Sequence, residues 1–134
     1  RKNAAFPFGA VIVRAADQRV MAEDVNDSAR KPTHHGEIVA MNDYVRRQGN
    51  QDWGGMILYT TGEPCPMGMS ALIWAEIGGV VYATSIAGLK RVGFDQIDLD
   101  AEAVTAAAPF WRGSLLGGVL AAETDRLFAE RERG

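Results

Sequence analysis

The sequence predicts an α/β layered domain with a mixed sheet, on three observations. Short β-branched runs, of which Val11-Ile12-Val13 is the clearest, alternate with segments of helical period, the pattern of strands and helices layered on one another. The first two strand-like segments lie close enough in sequence to pair as an antiparallel hairpin, so the sheet is expected to be mixed. No linker, repeat or low-complexity tract divides the 134 residues, so residues 1–134 are expected to form a single domain.

The elements follow in order. The segment AAFPFGAVIVR reads as a buried strand after a Pro-Phe-Gly turn, and Asp17-Gln18 as the turn into a second strand, Arg19 to Val25. NDSARKPT is a polar loop. From His34 the period changes: Ile38, Met41 and Val45 recur at i, i+3 and i+7, with Thr33 as the expected cap and Gly49-Asn50 as the stop. MILYTT (residues 56–61) reads as a third strand. Met69, Leu72, Ile73 and Glu76 fall at helical spacing in a helix expected from Cys65 to Glu76 and ended by Gly78-Gly79. Val80 to Ala83 is a short buried strand, GFDQIDLD a mixed region, and AEAVTAAA a helix stopping before Pro109. The stretch from Trp111 to Val119 holds a last strand or an irregular segment. The tail reads as a helix with Thr124, Leu127 and Phe128 on one face.

Composition narrows the function classes. Fourteen Lys and Arg against 17 Asp and Glu give a net charge of −3, which offers little to sequence-independent nucleic-acid capture. Apolar residues at 47% and charged residues at 23% are the proportions of a globular chain and not of a disordered one. Cys65 is the single cysteine. It excludes an intrachain disulfide and a four-cysteine zinc site, and points to a reducing, cytoplasmic setting. No apolar run approaches the ~20 residues of a membrane-spanning helix.

Two segments carry the residue types of chemistry. Pro32-Thr33-His34-His35-Gly36-Glu37 opens the first helix, and Thr61-Gly62-Glu63-Pro64-Cys65-Pro66-Met67-Gly68 runs from a strand end into the next. A histidine and a cysteine at successive helix N-termini can converge on one metal ion, and the helix dipole favours the thiolate that binds it. Glu37 lies two residues past His35, about 200° around a helix, so it need not share the ion and is placed to carry a proton beside it. Each residue also has a plainer role open to it: His35 in a cap or core, Cys65 as a small buried hydrophobe, Glu37 as a solvated first-turn carboxylate.

In these motifs and their order the chain resembles the zinc-dependent cytidine-deaminase-like superfamily, whose signature is H-x-E followed by P-C-x-x-C. PFGAVIV, Asn26, PTxHxE, TxEPCPM, ALIWA and GFD follow one another as in that family. The detail lies nearest its guanine deaminase and purine nucleobase deaminase branch, since the tRNA adenosine deaminases usually show LEPCxMC and lack the GFD stretch. The resemblance implies a three-layer α/β/α fold on a central mixed five-stranded sheet, with a first helix ahead of Arg1 that this sequence does not contain. It implies Zn²⁺ held by His35 and Cys65, Glu37 as the catalytic proton carrier, and hydrolytic deamination of a guanine-like purine or related aminated heterocycle. Asn26 would hydrogen-bond the base edge. Phe8 and Trp74 would wall the flat ring, though plain core packing is the readier role for both, because aromatics on buried faces mostly pack. Asp95 or Asp98 would supply a second acid. A homodimer with a small-molecule ligand, away from membranes and nucleic acid, is the implied assembly.

One position departs from the pattern. The second cysteine of C-x-x-C is Gly68, which supplies no ligand, whereas catalytic zinc ordinarily has three protein donors. Cys65 and residue 68 are i and i+3, so both would face one ion from a single turn. Replacements are scarce: His34 points ~100° away from His35 on a helix, and Met67 and Met69 offer only thioethers, which suit softer ions. The expected zinc site is therefore weakened. Two further readings stand beside the deaminase: a metal-depleted, catalytically impaired relative that keeps the pocket and oligomer surfaces, and a tRNA adenosine deaminase.

Overall fold

A computed structural model describes residues 9–25, 33 and 35–130. Phe8, Asn26 and His34 lie outside the described residues. The strands are β1 (Gly9–Arg14), β2 (Arg19–Val25), β3 (Met56–Gly62), β4 (Gly79–Thr84) and β5 (Ser114–Leu116). The helices are α1 (Gly36–Gln48), α2 (Pro66–Ala75), α3 (Ile86–Arg91), α4 (Ala101–Ala106) and α5 (Ala121–Ala129), with one 3₁₀ turn at Trp53–Gly55.

The five strands form one mixed sheet in the order β2-β1-β3-β4-β5. β1 and β2 make the expected antiparallel hairpin, with a register shift between Ile12 and Val13. β1 also pairs antiparallel with β3, whereas β3–β4 and β4–β5 are parallel. The parallel pairs need crossovers, and α2 supplies the one between β3 and β4.

Alternation along the strands sets the core. Ile12, Leu58 and Val80 lie in register across β1, β3 and β4, each 0–1% exposed. Together with Ala10 they join one cluster with Ala40 and Tyr44 of α1 and Met69, Leu72 and Ile73 of α2. Burial of such side chains contributes ~1.5–3 kcal/mol apiece. α5 packs on β4 and α3, where Phe128 meets Phe94 edge to face at 5.5 Å.

Several local expectations change. Thr33 is exposed, and the N-cap of α1 is His35, which makes no side-chain capping bond. The buried residues of α1 are Gly36, Glu37, Ala40, Asp43 and Tyr44, while Ile38 and Met41 are half-buried and Val45 is exposed. Apolar spacing misplaces this face because two carboxylates are buried on it. Asp43 accepts the Glu23 N–H at 3.2 Å and pairs with Arg46 and Arg47.

Helix α2 keeps its expected bounds, with Cys65 and Glu76 as its caps, but Glu76 and not Gly78-Gly79 stops it. Glu76 takes the left-handed conformation (φ 63°) and its N–H closes on the Ile73 carbonyl. Gly78 instead serves close approach: its N–H bonds the Trp53 and Met56 carbonyls, both at 3.0 Å, and a Cβ there would run into the Gly54 carbonyl. Helix α3 has no counterpart in the sequence reading. In α5, Thr124 and Phe128 are buried as expected but Leu127 is 36% exposed.

Candidate active site

Two helix starts meet at the site. β3 delivers Cys65 to the N-cap of α2, where Pro66 at the first helical position has its φ preset and needs no N–H partner. His35 stands at the N-cap of α1. Both residues are extended (φ −67°, ψ 169° and φ −69°, ψ 160°) and neither side chain caps its own helix, which leaves both free to face outward from the helix ends. The Cys65 Sγ lies 3.6 Å from the His35 Nδ1. The Glu37 Oε1 lies 3.9 Å from the same nitrogen. The donor atoms of His35, Glu37 and Cys65 all fall within 4.8 Å of one another.

This proximity corrects the helical-wheel argument that set Glu37 apart. The ~100° per residue spacing holds only inside a helix, and His35 precedes the first helical residue. Its extended backbone turns the imidazole toward the carboxylate two positions on.

The electrostatics follow from burial and neighbours. Glu37 is buried, which pushes its carboxyl pKa up; its own backbone N–H and the nearby His35 oppose the rise. The His35 imidazole is raised above its ordinary value, first by the hydrogen bond to Cys65, against desolvation, with further help from the charges of Cys65 and Glu37. All three groups sit at helix N-termini, where negative charge is favoured.

The donor set fits a divalent zinc-like ion. A tetrahedral ion bonded to sulfur at roughly 2.3 Å and to nitrogen at 2.0–2.1 Å holds those two atoms about 3.5 Å apart, close to the observed 3.6 Å. Thiolate, imidazole and carboxylate are all accepted zinc donors. Gly68, buried in the first turn of α2, faces this cluster. The three atoms nearest to a Cβ built on Gly68 all belong to Glu37: Oε1, then Cγ at 2.6 Å and Cδ at 2.7 Å.

The remaining candidates are elsewhere. Trp74, for which core packing was one expectation, is 75% exposed and rests its ring on Phe110 at 5.4 Å. It faces solvent because the inner face of α2 is taken by Met69, Leu72 and Ile73. Asp95 is exposed, and Asp98, 87% exposed, pairs with Lys90 at 3.3 Å. Neither belongs to the donor cluster among the described residues.

Sequence reasoning missed the role of Glu63. Only 5% exposed, it accepts the Ile86 N–H at 2.7 Å and the Ala101 N–H at 2.6 Å, the first N–H groups of α3 and α4. It thereby satisfies donors that two short helices leave without partners of their own, two residues from Cys65. Its place in the Glu-Pro-Cys run was the one available signal; the partners, 23 and 38 residues away, left no trace in local pattern.

Comparison with known proteins identifies the family. Residues 1–84 match the cytidine and deoxycytidylate deaminase zinc-binding region. The guanine deaminase of Bacillus subtilis is 33% identical over 132 residues, covering 94% of this chain and 83% of the relative. A tRNA-specific adenosine deaminase of Rickettsia felis is 24% identical over 126 residues, covering 92% and 84%. The fold superposes on the guanine deaminase of Nitrosomonas europaea with a TM-score of 0.82 at 22% identity, covering 92% of this chain and 71% of that one. A structure solved with 8-azaguanine gives the same TM-score and identity, covering 92% and 72%.

Proposed function

Since the chain belongs to the cytidine and deoxycytidylate deaminase family, we propose that it hydrolyses the exocyclic amino group of a purine nucleobase, guanine first, with zinc as cofactor. The convergence of His35 Nδ1 and Cys65 Sγ, with the buried Glu37 carboxylate beside them, carries this reading. Similarity to a guanine deaminase and to structures solved with 8-azaguanine and 2,6-diaminopurine supports the purine.

His35 and Cys65 would hold the zinc. When bound, zinc supplies a Lewis acid that brings the pKa of water down toward ~7. Glu37 then has the work of a general acid and base. It takes a proton from the attacking water, delivers it to a ring nitrogen, and helps the departing amine leave as ammonia. Water and an amino-substituted ring carbon thus give a ring carbonyl and ammonia. Burial serves this role, because it raises the Glu37 pKa toward that of its proton partners. We assign Asn26 to the base edge and Phe8 to the ring face. Trp74, Asp95 and Asp98 would meet a substrate only from the solvent side.

Gly68 favours a second reading, a relative with depleted metal and impaired catalysis. The test is direct: purified protein, with and without added zinc, is assayed for metal content and for ammonia released from guanine, adenine and a tRNA anticodon stem-loop. Zinc-dependent release from guanine supports the proposal. No metal uptake and no ammonia from any substrate supports the impaired relative. Release from the stem-loop alone moves the activity to tRNA.

A further inference from the structure

We propose that glycine at position 68 lets Glu37 enter the donor set, so that in this chain the carboxylate stands in for the missing third ligand and the site is His35, Cys65 and Glu37. The inference rests on the zinc-binding reading above and goes beyond it, since there Glu37 acts only as a proton carrier.

Space makes the first argument. The volume a side chain at 68 would claim is taken by the Glu37 carboxylate and its Cγ. Real Cβ atoms do not approach other heavy atoms at 2.6–2.7 Å, so Glu37 can hold this place only while residue 68 is glycine. Any larger residue there must displace the Glu37 side chain. Gly68 is three residues on from Cys65, a rise of about 4.5 Å and just under one turn, and the carboxylate therefore lies where a residue-68 ligand would have to reach.

Donor chemistry makes the second. One Glu37 oxygen is already 3.9 Å from the His35 Nδ1, inside the same 4.8 Å cluster as the Cys65 sulfur. A thiolate and a carboxylate bring two negative charges to a divalent ion, the same number as two thiolates. Oxygen is the harder donor, so the exchange keeps charge balance while lowering preference for soft, thiophilic ions. Among the described residues no other histidine, cysteine or acid joins this cluster.

The roles of residues 37 and 68 are then coupled. With glycine at 68, Glu37 serves the ion. With cysteine at 68, Glu37 is pushed clear and is left to handle protons.

The experiment measures zinc affinity by competition with a chromophoric chelator, and the visible spectrum after cobalt(II) loading, for the parent, Glu37→Gln, Gly68→Ala, Gly68→Cys and the Gly68→Cys/Glu37→Gln double variant. Loss of outer-shell partners alone costs ~10–100-fold in metal affinity, so losing a direct donor should cost at least ~10-fold. Glu37→Gln, nearly isosteric, should therefore weaken zinc binding by at least that factor. Gly68→Ala should do the same, because its methyl group evicts the carboxylate and brings no donor. Gly68→Cys should bind more tightly, and adding Glu37→Gln to it should change affinity less than ~3-fold. The cobalt d–d bands should shift in Glu37→Gln while the sulfur-to-cobalt charge-transfer band persists.

Equal affinity in the parent, Glu37→Gln and Gly68→Ala overturns the inference and leaves the zinc reading standing. Zinc binding by Gly68→Cys but not by the parent overturns the inference and favours the metal-depleted relative over the zinc reading. Absence of zinc binding in both overturns the inference and the zinc reading together. Should either single variant fail to fold by circular dichroism, the other carries the comparison.

Discussion

The Glu63 carboxylate reaches across the sheet end to the Ala101 N–H, 2.6 Å from Oε2, and so ties the start of α4 to the strand that delivers Cys65. Its other oxygen holds the first N–H of α3. The metal-facing turn and two later helices thus share one buried anchor.

Replacing that anchor should cost much of the protein's stability. Hydrogen bonds to charged groups contribute ~1.5–3 kcal/mol, and a buried donor left unpaired costs ~1–3 kcal/mol. Glu63→Ala should lower the unfolding free energy by about 3 kcal/mol or more in urea titrations, and Glu63→Gln, which keeps one acceptor oxygen, by about half. A change below ~1 kcal/mol for the alanine variant would show that water replaces the carboxylate.

Position 68 should act on turnover as well as on metal. Gly68→Cys supplies the donor that the family pattern lacks and frees Glu37, so zinc-loaded Gly68→Cys should release ammonia from guanine at least ~10-fold faster than the parent, given the ~10–100-fold sensitivity of such sites to lesser changes. Equal rates at full zinc occupancy would mean that the glycine does not limit catalysis.

Proton transfer by Glu37 is tested in that faster background. Gly68→Cys/Glu37→Gln should keep its zinc and lose ~10²–10⁴-fold in kcat, the usual contribution of a positioned acid–base group. Paired metal analysis and steady-state rates separate this outcome from simple metal loss.

The turn before β2 offers a check on the electrostatics far from the site. Arg14 grips Asp17 at two points, 3.0 and 2.8 Å, and the Arg19 N–H adds a third bond at 3.2 Å. The Arg14 hydrogen bond, followed by that from the Arg19 backbone, lowers the Asp17 pKa to about 2. A carboxyl lowered on folding stabilises the native state above its unfolded pKa, and that contribution fades as pH falls through the folded value. Asp17 should therefore titrate near 2 by NMR and move back toward the ordinary carboxylate range in Arg14→Met. Any stability difference between the parent and Asp17→Asn should be present at pH 6 and shrink between about pH 4 and 2. The solvent-facing position of the pair keeps the energy small.

Local chemistry was legible where it is written in neighbouring residues. The β-branched run at Val11–Val13 gave β1, the Asp17-Gln18 turn gave the hairpin, and His35, Glu37 and Cys65 stood out because their spacing and order belong to a recognisable pattern. Each of these depends on contacts within a few residues, or on a motif that survives as a string of letters. The tertiary structure decided the rest. It buried Asp43 and Glu37 on a helix face that apolar spacing assigned to Ile38, Met41 and Val45, and it left Trp74 in solvent because other side chains of α2 fill the core. It also gave Glu63 two partners far along the chain. Most of all, it set the Glu37 carboxylate in the volume left open at residue 68. A sequence records that glycine lacks a side chain; which neighbour moves into the vacated volume is fixed only when two helix starts pack against each other.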